Sequence, residues 1–137
     1  RRELRRLVKV FGLEERFLWL DWLDDTGPFY SALDIFVSPS RTESFGLAIL
    51  EAMARGVAVI STETDGAKVL LGDAGILTPV NDPVALANAI GELLADDIRR
   101  ASIGSALQKM AVESFSVERM LDATEGLYRQ ISLAKDS

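Results

Sequence analysis

Apolar positions recur along the chain with two periods. Leu4, Leu7, Val8 and Phe11 stand at i, i+3, i+4 and i+7, with the Arg residues and Lys9 on the other side and Gly12 following as a stop. That spacing predicts an amphipathic helix. Its basic face suits an anionic lipid or a phosphate-bearing partner, but a solvated helix face is the simpler reading and is the one adopted here. Four short apolar runs, at residues 17–20, 34–38, 57–61 and 75–79, are each closed by polar residues or Pro and read as buried parallel strands. Helical stretches at 27–33 and 46–55 lie among them, the second closed by Gly56 where a left-handed cap is wanted. Strand and helix alternate, so the expected fold class is α/β, a Rossmann-like doubly wound parallel sheet with helices on both faces.

Beyond Pro79 the pattern is helical only. Asp82 before Pro83 makes a cap and first-turn pair, and Leu86, Ala87, Ile90, Leu93 and Leu94 form one stripe. A further helix is expected over 98–114. Ser116 then caps a last one, in which Val117, Met120, Leu121, Leu127, Tyr128 and Ile131 share a face. No repeat and no Gly/Ser linker interrupts the chain, which reads as a single partial domain over 1–137.

Composition narrows the chemistry. The 137 residues include no Cys and no His, which removes disulfides, thiolate or imidazole metal ligands, the Cys nucleophile and the commonest general base. Fifteen Lys and Arg stand against 21 Asp and Glu, for a net charge of −6. Positive charge is concentrated in residues 1–16, and the global basic footprint of a nucleic-acid binder is absent. No apolar run approaches the ~20 residues that span a bilayer, and the Arg-rich start lacks the apolar stretch of a signal peptide. Because residue 1 is Arg, the chain is expected to be a fragment or a processed product.

The stretch with most chemical content runs from Pro39 to Val57: a strand end, a polar loop, a helix and the next strand. Such a loop leaves the carboxyl end of a parallel strand, where open α/β sheets bind ligands. Gly46 admits close approach to the backbone, and the unsatisfied N–H groups of Phe45, Gly46 and Leu47 open the helix with partial positive charge, suited to a diphosphate. Glu43 precedes the helix and Glu51 lies about one and a half turns into it. Acceptor-only carboxylates suit vicinal sugar hydroxyls. Spacing alone equally accommodates Glu43 as a dipole-favoured N-terminal residue and Glu51 as a surface side chain.

Residues 43–51 resemble the E-x7-E motif of the retaining, GT-B-fold glycosyltransferases of family four, the group 1 glycosyltransferases. The likeness extends in order through 17–25, A-L-D-I-F-V-S-P-S at 32–40, E-A-M-A-R-G-V-A-V-I-S at 51–61, G-D-A-G-I-L-T-P at 72–79, N-D-P-V-A-L-A-N-A-I at 81–90 and the helix start at Phe115-Ser116. The resemblance implies the C-terminal, donor-nucleotide domain of a bacterial-type enzyme of polysaccharide biosynthesis, with a nucleoside diphosphate sugar (UDP-, GDP- or ADP-sugar) as substrate, a glycan or lipid-linked acceptor, no cofactor and no metal. It implies Glu43 as the catalytic contact to donor-sugar hydroxyls. Ser44 and the backbone of Phe45, Gly46 and Leu47 bind sugar and diphosphate, and Glu51 binds the ribose diol. Asp21, Trp22 and Leu23 would border the nucleobase, although Trp19 and Trp22 fit equally well as core and rim aromatics. Ser40, Arg41 and Thr42 border the site or serve as ordinary loop residues.

Three positions depart from the family pattern: Asp21 stands where Gly is usual, Val69 where Glu is frequent, and Val117 where Trp is frequent. The first helix resembles the second helix of the family's C-terminal domain. Two strands and a basic Arg/Lys pair that neutralises the leaving diphosphate are therefore expected outside the chain, between 17–20 and 34–38 in the sheet, and the acceptor domain is the expected missing partner. These residues alone should be inactive. Their open sheet edges should pair with another chain, such as a second copy, or stand as an aggregation hazard. The expected location is cytoplasmic, with any peripheral attachment to the inner face of the membrane belonging to the other half. A non-catalytic module on the same scaffold, acting by oligomerisation or subunit docking, is the alternative. A dinucleotide oxidoreductase fits poorly because no G-x-G-x-x-G follows a strand.

Overall fold

A computed structural model describes residues 2–135. Three parallel strands, β1 (Ile35–Ser38), β2 (Ala58–Thr62) and β3 (Ile76–Thr78), lie in the order β1-β2-β3, with Ile35 opposite Ala58 and Ile60 opposite Ile76. Seven α-helices accompany them among the described residues: α1 (Arg2–Val10), α2 (Gly27–Ser31), α3 (Leu47–Ala54), α4 (Asp65–Leu71), α5 (Pro83–Ala95), α6 (Asp97–Phe115) and α7 (Val117–Lys135). Side chains alternate across a pleated strand, so β2 serves both layers. Val59 joins Ile49, Met53, Leu70, Leu71 and Leu107 beneath α3, α4 and α6, whereas Ala58 and Ile60 meet Leu93 of α5 on the opposite face. Every residue of β2 is buried, as a central parallel strand covered on both sides requires.

The expected punctuation is where it was read. Gly56 takes φ +72 after α3, its N–H reaching Met53 O at 2.9 Å while the Val57 N–H reaches Ala52 O at 3.1 Å, the paired bonds of a Schellman cap. Asp82 Oδ1 accepts from the N–H groups of Val84 and Ala85 at 3.1 and 2.9 Å, and Ser116 Oγ from that of Arg119 at 3.3 Å.

The structure departs from the sequence reading at three points. Residues 17–20 form no strand among the described residues: Phe17 is 47% exposed and Leu18 79%. Apolar composition supports a strand only when the backbone finds a ladder; here the Phe17 and Trp19 rings lie 4.7 Å apart and the Arg5 guanidinium 5.4 Å over Trp19. The helix α4 was not anticipated. It is only seven residues long, too short for a periodic signal, but Thr64 Oγ1 caps it by accepting from the Ala67 N–H at 3.4 Å. The apolar stripe expected in the last helix is solvent-facing, with Met120, Leu121, Leu127 and Tyr128 all exposed. No described helix is long and apolar enough to cross a membrane.

Candidate donor-binding site

The carboxyl ends of β1 and β2 diverge into two polar loops, 39–46 and 63–64, that meet above the sheet. Ser61 and Thr62, both buried, tie the first loop to the strand that follows it. The Ser61 hydroxyl donates to Ser38 O at 3.2 Å, and the Thr62 hydroxyl reaches the carbonyls of Ser38 and Ser40. A second tie comes from α4, where the Gly66 N–H donates to Glu43 O at 3.0 Å. Backbone packing there is so close that a Cβ on Gly66 would sit 2.5 Å from Phe45 O. Only glycine lets the first turn of α4 reach the loop.

A cleft of about 270 Å³ lies between these loops, lined by Arg41, Thr42, Glu43 and Ser44 on one side and Glu63, Thr64 and Asp65 on the other. Glu43 is half-buried and Ser44 exposed at its edge. Three carboxylates against one guanidinium make the cleft acidic and rich in acceptors, suited to hydroxyl donors. Glu63 is shared with Lys68 at 3.8 Å, but both side chains are about half exposed, so this pair offsets little of the charge.

Gly46 adopts φ +98 and ψ 56 as the residue before α3. A Cβ there would meet Ile49, Glu43 and Leu70 at 3.1 to 3.3 Å, so left-handed backbone and crowding both call for glycine. The α3 helix thus begins beside the Glu43 side chain with its first N–H groups unsatisfied by its own turns. The side chains of Phe45 and Leu47 turn away from the cleft. They line a separate apolar groove of about 610 Å³ with Leu50, Phe115, Val117 and Met120, the rings of Phe45 and Phe115 meeting edge-on at 6.3 Å. The Phe45 backbone, by contrast, lies against Gly66 at the loop junction.

Glu51 is exposed and does not line the acidic cleft. Its Oε2 accepts from the Thr26 hydroxyl, just before α2, at 3.4 Å, and the Tyr30 hydroxyl within α2 faces the same carboxylate. Burial, with the Glu51 hydrogen bond and charge, pushes the Tyr30 hydroxyl up from 10.0 to about 12. Asp21, Trp22 and Leu23 do not line the cleft, and Trp22 is 88% exposed with its indole N–H on Asp24 Oδ1 at 3.1 Å. Glu43 and Ser44 are brought together, Glu51 is held by α2, and 21–23 stand apart. Glu63, Thr64, Asp65 and Gly66 were not singled out from sequence. Thr64 as a cap candidate was their one local signal.

The family model for glycosyl transferases group 1 matches residues 1–96. The chain belongs to this family. The lipopolysaccharide core biosynthesis glycosyltransferase LpsE of Rhizobium meliloti is 34% identical over 125 residues, 90% of this chain and 37% of that protein. Sucrose-phosphate synthase from Thermosynechococcus elongatus superposes with a TM-score of 0.90 at 33% identity, over 97% of this chain and 34% of that one. HepE from Anabaena, solved in complex with UDP, gives a TM-score of 0.87 at 30% identity, over 93% of this chain and 36% of that one. The three-stranded parallel sheet is therefore that of the GT-B glycosyltransferases, and the chain spans about a third of the length of these relatives.

Proposed function

We propose that residues 1–137 are the nucleotide-sugar-binding domain of a retaining glycosyltransferase, which transfers a sugar from a nucleoside diphosphate to a glycan or lipid-linked acceptor in the cytoplasm. The observation that carries this reading is the junction at Gly46, where the left-handed residue opens α3 directly beside the half-buried Glu43 carboxylate. An anion at the α3 N-terminus is favoured by unsatisfied N–H groups and the helix dipole. Glu43 and the acidic cleft accept from sugar hydroxyls, and Ser44 and the 45–47 backbone complete the sugar and diphosphate contacts. Glu51 accepts from the ribose diol, and residues 21–23 approach the base.

As the diphosphate departs, charge develops on its oxygens, and fixed N–H dipoles aimed at them lower the barrier. The acidic cleft cannot neutralise a diphosphate by itself, so this reading requires basic groups from elsewhere in the complete protein. A solved relative binds UDP, which makes UDP the first base to test.

Calorimetric titration of the full-length protein with UDP, GDP and ADP should show one preferred diphosphate. Glu51→Ala should weaken that ligand about 10- to 100-fold, the worth of hydrogen bonds to a charged group. Glu43→Gln should keep diphosphate binding and lose transfer. Absence of binding by all three nucleotides would overturn the reading in favour of a non-catalytic module.

A further inference from the structure

Glu51 is an exposed side chain on the outer part of α3, and an exposed glutamate ordinarily samples many rotamers. Here it is tethered from a different element. Tyr30 is 5% exposed, its ring packed against Phe29 at 5.1 Å and Phe36 at 5.7 Å, while its hydroxyl reaches out of this aromatic cluster to the Glu51 carboxylate. Thr26, four residues earlier, places its hydroxyl 3.4 Å from Glu51 Oε2. We propose that Tyr30 and Thr26 are positioning residues that orient the Glu51 carboxylate for the two ribose hydroxyls of the donor nucleotide. The inference rests on the assignment of Glu51 to the ribose under the function proposed above.

The chemistry supports this division of labour. A carboxylate offers about four acceptor sites, so two protein hydroxyls leave capacity for a diol. A buried tyrosine seeks a partner for its hydroxyl, and a ring fixed by aromatic neighbours delivers that hydroxyl along one direction. Restricting Glu51 before the nucleotide arrives removes part of the ordering cost of binding. The same contact links the segment after residue 20 to α3, since Thr26 and Tyr30 follow the 21–23 loop directly. The base-side loop and the ribose-side carboxylate are thereby set in mutual register.

The test uses the full-length protein, titrated with UDP and with 2′,3′-dideoxy-UDP, or the corresponding pair if another base is preferred. The readout is the affinity ratio between the two, which reports the diol alone. Tyr30→Phe should lower affinity for UDP on the order of tenfold, one hydrogen bond's worth, and leave the dideoxy ligand unchanged, so the ratio falls. Thr26→Val, at an exposed position, should lower the ratio in the same direction and covers the case in which the Tyr30 variant folds poorly. An unchanged ratio in Thr26→Val and in folded Tyr30→Phe, beside a collapsed ratio in Glu51→Ala, overturns the positioning role and leaves the ribose assignment standing. An unchanged ratio in Glu51→Ala overturns both.

Discussion

Glu43 and Glu51 are the same chemical group eight positions apart in one loop and helix, and their surroundings differ. Glu43 is half-buried, its carbonyl fixed by Gly66 and its side chain against Gly46 in an acidic cleft. Glu51 is in water but held by the Thr26 hydroxyl just before α2 and faced by the Tyr30 hydroxyl within it. Burial of Tyr30, reinforced by Glu51, makes its contribution to stability depend on pH. Tyr30 titrates near 12 in the folded protein and at its ordinary 10.0 when unfolded, so folding binds this proton more tightly. The stability it contributes is complete below pH 10 and is lost as pH rises from 10 through 12. Denaturant midpoints of wild type and Tyr30→Phe should therefore converge across that window. A gap that stays constant from pH 9 to pH 12 would show that neither burial nor Glu51 holds the Tyr30 proton in the folded protein.

At the scale of elements, glycines on different helices answer opposite demands. Gly104 of α6 lies against the turn between α3 and β2, where a Cβ would stand 2.1 Å from Gly56 O. Backbone cannot yield there without separating α6 from the sheet, so Gly104→Ala should cost on the order of 1–3 kcal/mol, as overpacking does. Gly91 of α5 has nothing within 4 Å of its missing Cβ. Gly91→Ala should stabilise by roughly 0.5–1 kcal/mol through helix propensity alone. Chemical denaturation of both variants checks the pair, and equal signs would contradict this account of the packing. Capping was legible because it is local: Gly56, Asp82 and Ser116 act within a few residues of themselves. The α4 helix was not, because seven residues with Gly at 66 hold too few turns to display a period, and what stabilises it is contact with the Glu43 loop.

For the whole molecule, the two-layered cover of a parallel sheet followed from alternating strand and helix patterns. The strand expected at 17–20 did not form, because hydrophobicity states that a segment seeks burial and only a neighbouring backbone can make it a strand. The described chain leaves Leu4, Val10, Phe11, Leu18 and Trp22 exposed along one region and Met120, Leu121, Leu127 and Tyr128 along another. Apolar surface left uncovered in this way is available for association. Residues 1–137 prepared alone should therefore self-associate with rising concentration, which sedimentation velocity would detect as a shift in mean mass. A monomer over the whole accessible range would contradict this expectation.

The sequence by itself determined the α/β class, the helix caps, the loop at the carboxyl end of β1, the placing of Glu43 and Gly46 on it and of Glu51 in the helix that follows. Each of these is written in local spacing or in a motif, and local spacing is what a linear chain carries openly. Only the tertiary structure decided that Glu63, Thr64 and Asp65 close the acidic cleft, that Gly66 presses on Phe45, and that Thr26 and Tyr30 hold Glu51 from 25 and 21 residues away. Those pairings depend on how helices dock across a sheet, and docking is settled by packing and hydrogen-bond partners that no single stretch of sequence contains.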